Sequence, residues 1–189
     1  MKEKSSAPET VDPEAIQPVI RGPGKGPVRL IVNGQKYETY VEPRRTLLDA
    51  LRKNLGLTGT KKVCDEGTCG ACTVLLEGKP IYACMALAVE CEGKAIETIE
   101  GLSGSGTLHP IQQAFIEQDA FQCGFCTPGQ VLSVKALLDA NPNPTLEEMK
   151  TALAGNLCRC GAYPKIFKAA LRASELLRHV PCPGDTHER

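Results

Sequence analysis

The chain has 189 residues, with 22 Lys and Arg against 22 Asp and Glu, and its formal net charge is therefore zero. This balance argues against nucleic acid as a partner, because binding to phosphates needs a clustered excess of basic side chains. No apolar run reaches the roughly 18 residues of a membrane span. The N-terminal stretch MKEKSSAPETVDPEAIQ also lacks the apolar segment of a secretory signal.

The predicted elements begin after an N-terminal arm. Residues 1–27 are rich in Pro and Gly and poor in large apolar side chains, which predicts a flexible arm. From Val28 the stretch VRLIVNGQKYETYV alternates apolar and polar residues on both sides of Asn33-Gly34. Asn-Gly between alternating segments is the strongest short-range hairpin signal. The sequence therefore predicts a β-hairpin that turns at these two residues.

A helix and a second hairpin follow. TLLDALRKNLG has leucines at helical spacing, with Thr46 as the expected N-cap and Gly56 as the expected stop. CTVLLEGKPIYAC predicts a second hairpin that turns at Gly78, and AIETIEG predicts a last strand. Four or five strands and one helix indicate a small mixed sheet packed on a helix, over residues 28–103.

The strand pattern ends at the Gly- and Ser-rich segment 101–106, which we take as the boundary between two domains. Four helical stretches follow and predict a compact helical bundle over residues 104–180. The first stretch, TLHPIQQAF, is expected to place Leu108, Ile111 and Phe115 on one face. The fold class is thus α+β, and residues 181–189 form a C-terminal tail.

Cap signals define the other three helices. TPGQVLSVKALLDANP predicts a helix with Thr127 as N-cap and Gln130 completing a capping box. TLEEMKTALAG repeats this pattern with Thr145 and Glu148. The last helix is predicted to begin at Pro164 and to end before the next proline.

The ten cysteines come in tight local groups, which favours metal binding over a disulfide framework. In CDEGTCGACTVLLEGKPIYAC the spacing is C-x4-C-x2-C with a distant fourth cysteine, as in plant-type ferredoxins that bind a [2Fe–2S] cluster. Gly67, Gly70 and Ala71 would let the loop fold tightly and direct N–H groups at sulfur. A structural zinc site is the alternative. This first group comprises Cys64, Cys69, Cys72 and Cys84.

A second group combines QCGFCTPG with CRCG, and each pair of cysteines lies just before a predicted helix. Helix N-termini carry partial positive charge and free N–H groups, which suit an anionic thiolate site. Taken alone, this group could bind zinc or an iron–sulfur cluster, or its C-x2-C could be a redox dithiol. Beside the first group, a second [2Fe–2S] cluster is the better account. The group comprises Cys123, Cys126, Cys158 and Cys160.

The remaining cysteines and histidines are not expected to bind metal. Cys91 is predicted to be a small buried apolar residue, and Cys182 an exposed free thiol in the tail. His109 precedes a proline at a helix start, where capping is expected. His179 and His187 define no site geometry.

Three motifs in this order, CDEGTCGACTV, QCGFCTPG and GNLCRCGAYPKI, resemble the iron–sulfur small subunit of molybdenum hydroxylases, over roughly residues 28–180. That family includes xanthine dehydrogenases, aldehyde oxidoreductases and carbon monoxide dehydrogenases. The resemblance implies a β-grasp ferredoxin-like domain followed by a four-helix [2Fe–2S]-binding domain. CRCGAYPKI, IEGL and LHPIQQAFI are most similar to bacterial aldehyde oxidoreductase small subunits.

The resemblance also implies the roles of the two cysteine groups. The first group would bind the outer cluster, nearer FAD, and the second group the inner cluster, nearer molybdenum. Gln122 and Cys160 would approach the pterin of the molybdenum cofactor. Electrons would pass from molybdenum through both clusters to FAD. The molybdenum cofactor and FAD would belong to a large and a medium partner subunit, and this chain would contain no substrate-converting site.

Three alternatives remain open at this stage. The same role could serve a xanthine, carbon monoxide or N-heterocycle hydroxylase, the chain could be a free-standing electron carrier, or it could be a zinc-stabilised adaptor. We expect a cytoplasmic protein, or a periplasmic one if a twin-arginine signal has been removed from the N-terminus.

Overall fold

The computed structural model describes residues 22–103 and 106–179. Most of the predicted arm and the whole predicted tail, with Cys182 and His187, lie outside these ranges. The division into domains at segment 101–106 stays a prediction. Within the described ranges, no helix has the length and apolar character that crossing a membrane requires.

Both predicted hairpins are confirmed, and strand β1 starts two residues before the predicted domain boundary. Asn33 (φ 52°) and Gly34 (φ 75°) form the first turn, and Glu77 (φ 51°) and Gly78 (φ 75°) form the second. Two successive residues with positive φ match the right-handed twist of the flanking strands. The strands are β1 (Gly26–Val32), β2 (Gln35–Val41), β3 (Thr73–Leu76), β4 (Lys79–Tyr82) and β5 (Ala95–Glu97).

The sheet is mixed, as predicted, with the strand order β2-β1-β5-β3-β4. β5 pairs in parallel with β1 and antiparallel with β3. Ile96, in the middle of β5, lies opposite Val32 on one side and Leu76 on the other. The last of the predicted strands therefore occupies the centre of the sheet.

The first helix packs beneath this sheet. Helix α1 (Leu47–Asp49) continues as a π-helical turn, Ala50–Asn54. The Thr46 hydroxyl accepts a hydrogen bond from the backbone N–H of Asp49 at 3.2 Å, which confirms the predicted cap. Gly56 follows with φ 73°, as expected for a helix stop. Cys91 is 1% exposed in the same core, which confirms its predicted burial.

The second half contains the four predicted helices around a separate apolar core. Their bounds are α2 (Pro110–Glu117), α3 (Thr127–Ala140), α4 (Leu146–Leu153) and α5 (Tyr163–His179). His109 caps α2, because its Nδ1 accepts a hydrogen bond from the Ile111 N–H at 3.2 Å. The predicted place of Leu108 on the helix is wrong. It precedes the helix and is 46% exposed. Pro110 disfavours helical backbone at His109, which is extended, so the helix cannot begin as early as Leu108.

The predicted cap of α3 is also wrong. Cys126 is the N-cap and Thr127 is already helical, so the helix begins one residue earlier than predicted. Gln130 does not complete a capping box. Its side chain is fully buried, and its Nε2 donates to the backbone oxygen of Asn156 at 2.8 Å. The expected local bond is replaced by one to a distant part of the chain.

The capping box of α4 is confirmed. The Glu148 carboxylate accepts from the backbone N–H of Thr145 at 2.7 Å, and the Thr145 hydroxyl accepts from the backbone N–H of Glu148 at 3.3 Å. We expect Thr145→Ala to lower the free energy of unfolding by about 1 kcal/mol, because it leaves an N-terminal N–H unpaired. Urea denaturation would measure this loss.

The matched control for this prediction is Thr151→Ala on the same helix. Thr151 is exposed and its hydroxyl donates only to the backbone oxygen of Glu147, one turn earlier. Its removal should change the free energy of unfolding by less than about 0.5 kcal/mol. Equal losses in the two variants would contradict a capping role for Thr145.

Candidate metal centres

The first cysteine loop lies between the π-helical turn and β3. It reverses direction at three residues with positive φ, namely Asp65 (61°), Gly67 (74°) and Gly70 (68°). A Cβ atom on Gly67 would lie 2.9 Å from Cγ of Met85, so the loop passes close beneath that side chain. Tight reversal brings the cysteines of the loop to the fourth one, which follows β4.

The thiols of the first group lie as two neighbouring pairs. Cys69 lies close enough to Cys64, and Cys84 close enough to Cys72, to shift the pKa of its neighbour. Hydrogen bonds from the Thr68 side chain and from the Glu66 backbone lower the pKa of Cys64 to about 6. Burial, in contrast, raises the pKa of Cys72 to about 12. Cys64 is partly exposed, whereas the other three are buried.

The second group has the same paired arrangement. The sulfur atoms of Cys123 and Cys160 are 3.5 Å apart, and Cys158 lies close enough to Cys126 to raise its pKa. Burial raises the pKa of Cys126 to about 12, whereas a hydrogen bond from the Phe125 backbone is the main cause that lowers the pKa of Cys123. The structure thus brings together all four cysteines of the group, from the starts of α3 and α5.

The two pairs of this group differ in exposure. Cys123 and Cys160 are exposed, whereas Cys158 is buried and Cys126 partly buried. Gln122, which the family resemblance would place near a pterin, is also exposed and directly precedes Cys123. The pair formed by Cys123 and Cys160 is therefore accessible from outside the chain, and Gln122 is an exposed chain neighbour of Cys123.

Paired thiols suit a two-iron cluster. Across residues 22–103 and 106–179, no three His, Cys, Asp or Glu side chains converge closely enough to bind a single metal ion. A [2Fe–2S] cluster with four cysteine ligands takes two thiolates at each iron, which corresponds to two pairs. All nine described cysteines are free thiols. The buried hydroxyl oxygen of Thr127, next to Cys126, has no hydrogen-bond partner within the protein. This donor is available to a bound group.

A cavity of about 200 Å³ lies at the second group, beside the first group's loop. Cys69 and Ala71 of the first group's loop line it together with all four cysteines of the second group. At its edge the backbone N–H of Leu157 donates to the backbone oxygen of Cys69 at 2.8 Å. Leu157 directly precedes Cys158 in the chain. The two groups are therefore neighbours joined by one backbone hydrogen bond.

Asn156 is the residue that sequence reasoning missed. It is 4% exposed, and its Nδ2 donates to the backbone oxygen of Gly70 at 3.0 Å and to the Thr73 hydroxyl at 3.1 Å. Its Oδ1 accepts from the Ser133 hydroxyl at 2.8 Å, and its backbone oxygen accepts from Gln130. The only sequence signal was its position two residues before Cys158, which predicts no partner 86 residues away.

Comparison with known proteins agrees with this geometry. Residues 30–100 match the family described as a 2Fe-2S iron-sulfur cluster binding domain, and residues 98–171 match the family described as a [2Fe-2S] binding domain. The aldehyde oxidoreductase iron-sulfur-binding subunit PaoA of Escherichia coli O157:H7 is 48% identical over 158 residues, which cover 76% of this chain and 69% of the relative.

Two further relatives are similar over nearly their whole length. The nicotinate dehydrogenase small FeS subunit of Eubacterium barkeri is 47% identical, over 78% of this chain and 94% of the relative. In the crystal structure of quinoline 2-oxidoreductase from Pseudomonas putida 86, one chain superposes with a TM-score of 0.79 at 43% identity. The match covers 82% of this chain and 96% of that one.

A β-grasp sheet domain and a helical domain, each with two thiol pairs, define an electron-transfer protein with two [2Fe–2S]-binding domains. The chain belongs to the family of iron–sulfur small subunits of molybdenum hydroxylases. It is a subunit of a molybdenum-dependent oxidoreductase, and its role is electron transfer.

Proposed function

We propose that this chain binds one [2Fe–2S] cluster at each cysteine group and carries electrons between a large molybdenum-cofactor subunit and a medium FAD subunit. The observation that carries the proposal is the division of each group into two thiol pairs, one for each iron. When bound, each cluster supplies a one-electron redox centre. The proposed iron-binding pairs are Cys64 with Cys69, Cys72 with Cys84, Cys123 with Cys160, and Cys126 with Cys158.

The exposure of the thiols supports a direction for the transfer. The outward-facing Cys123 and Cys160, beside Gln122, would lie against the pterin on the large subunit, so electrons would enter there. In the first group Cys64 is partly exposed, and electrons would leave this group toward FAD near Cys64. The buried thiols between these two ends keep water away from the centre of the path.

The substrate is proposed to be an aldehyde, as the name of the PaoA relative suggests. A relative of nearly equal identity carries the name nicotinate dehydrogenase, and this favours an N-heterocycle as the second candidate. The substrate would be converted on the large subunit, so identification of that subunit decides between the two.

Affinity purification of the tagged full chain from its native host tests the proposal. We expect recovery with a molybdenum-containing and a flavin-containing subunit, and about four irons and four acid-labile sulfides per chain. Cys91→Ser, which alters a buried thiol outside both groups, should leave these values unchanged. Zinc without sulfide would indicate a zinc adaptor, and recovery of the chain alone would indicate a free-standing carrier. Either result would contradict the proposal.

The compartment is proposed to be the cytoplasm, with the periplasm as the alternative. Cell fractionation followed by detection of the tagged chain distinguishes the two.

A further inference from the structure

We propose that Asn156 fixes the separation of the two cysteine groups and that the hydrogen bond from Leu157 to Cys69 is their electronic connection. In this role Asn156 is a positioning residue, because it acts through the loops that it holds. The inference rests on the proposed function, since it assumes that each group binds a cluster.

The hydrogen bonds of Asn156 connect three parts of the molecule. Both of its amide N–H groups are used on the first group's loop and the adjoining strand, at Gly70 and Thr73. Its two oxygens are used on helix α3, at Ser133 and Gln130. Because Asn156 itself lies two residues before Cys158, its side chain links the backbones of both groups directly. A buried amide with all these partners has one favourable position.

Close backbone contact leaves no room for the groups to shift toward each other. A Cβ atom on Gly70 would lie 2.3 Å from the backbone oxygen of Gly155, and one on Gly129 would lie 2.4 Å from the backbone oxygen of Gly70. Glycines at these places let the loops touch without an intervening side chain. Asn156 prevents separation, and the backbone contacts prevent closer approach, so the spacing of the groups is determined from both sides.

The shortest bonded connection between the groups passes through one hydrogen bond. From the sulfur of Cys158 it follows covalent bonds to the backbone N–H of Leu157, crosses the 2.8 Å hydrogen bond to the backbone oxygen of Cys69, and follows covalent bonds to the sulfur of Cys69. One electron moves along this connection at a time. The second group's site is oxidised, the first group's site is reduced, and no proton or atom is transferred.

The neighbouring cavity is lined by all four cysteines of the second group, so it is the space that the second group's cluster would occupy. Leu157 and Cys69 also line it, and their hydrogen bond therefore lies where that cluster would face the first group's loop. Electronic coupling declines faster across empty space than along covalent and hydrogen bonds. A change that lengthens the Leu157–Cys69 bond should therefore slow electron exchange even when both clusters are present.

Asn156→Asp tests the inference in the full chain purified with its partners. The variant keeps the size of the side chain but replaces the two N–H donors with an acceptor that repels the oxygen of Gly70. We expect both reduced-state EPR signals and the iron content to persist. The spin–spin interaction between the two reduced clusters should be lost, and pulse radiolysis should show slower electron exchange between them.

Two further variants make the result decisive. Thr73→Val removes one acceptor of the Asn156 amide, so it should weaken the spin–spin interaction and slow electron exchange, but less than Asn156→Asp does. If Asn156→Asp does not fold, Thr73→Val tests the inference in its place. Tyr82→Phe removes a hydrogen bond of 3.0 Å to the backbone oxygen of Gly155, which also joins the sheet domain to the helical domain. This variant should change neither the spin–spin interaction nor the rate of electron exchange. If the folded Asn156 and Thr73 variants match the wild type, the inference is overturned. Absence of clusters in the wild type would instead refute the proposed function.

Discussion

Cys69→Ser should abolish one of the two reduced-state EPR signals and leave the other, and Cys158→Ser should do the reverse. Each change removes one thiol of a pair within its own group, Cys64 with Cys69 and Cys126 with Cys158. A serine hydroxyl stays protonated at neutral pH and is a poor substitute for a thiolate ligand. Because electrons are proposed to need both sites, each variant should also lose electron transfer through the chain.

The neighbourhood of the two residues makes this a demanding test. The backbone oxygen of Cys69 accepts the hydrogen bond from Leu157, and serine preserves that backbone bond. Loss of a signal can therefore be assigned to the missing thiol. Cys91→Ser, at a buried cysteine outside both groups, should retain both signals. If either ligand variant lost both signals while circular dichroism showed a folded chain, the assignment of two independent clusters would be wrong.

Gly70→Ala should be among the most destabilising single changes in the chain. Gly70 has φ 68°, and left-handed backbone costs an alanine about 1–2 kcal/mol. The added methyl group would also lie 2.3 Å from the backbone oxygen of Gly155, which cannot rotate away, and overpacking of this kind costs about 1–3 kcal/mol more. Urea denaturation should show the summed loss, about 2–5 kcal/mol, and the iron content should fall.

Gly78→Ala separates the two contributions. Gly78 has a similar backbone, φ 75°, but a Cβ atom there meets nothing within 4 Å. The Gly78→Ala variant should lose only about 1–2 kcal/mol of unfolding free energy, the cost of left-handed backbone for an alanine, and its iron content should not fall. Equal losses in the two variants would mean that contact between the loops does not contribute to stability.

Local signals in the sequence predicted most of the fold. Asn33-Gly34 and Gly78 specify their turns because few other residues adopt positive φ, and Thr145 with Glu148 specifies a helix start within four residues. The cysteine motifs likewise predicted two groups of thiols, and the four of the second group line one cavity, whereas their roles as ligands stay a prediction. In all of these cases the interacting residues lie near each other in the chain, or repeat a motif whose geometry is known.

Prediction from the sequence failed where a side chain forms a hydrogen bond with a distant residue instead of with a near one. Gln130 has the right position for a capping box, yet it is buried and donates to Asn156. Thr127 consequently lies inside the helix that it was predicted to cap. The role of Asn156 could not be predicted for the same reason, because its partners Gly70 and Thr73 are more than 80 positions away. No periodicity encodes such contacts.

The central place of β5 has a consequence for biosynthesis. Within the part of the chain that the structure describes, only this strand, three residues long, joins the two hairpins into one sheet, and a two-stranded hairpin alone is marginally stable in water. The first four cysteines, up to Cys84, leave the ribosome before residues 95–97 do. The loop that holds them has no closed sheet to support it until β5 is inserted. Under the proposed function, iron and sulfide loading at this site would therefore follow translation of β5. A nascent chain arrested before residue 95 would expose thiols that it could not yet organise.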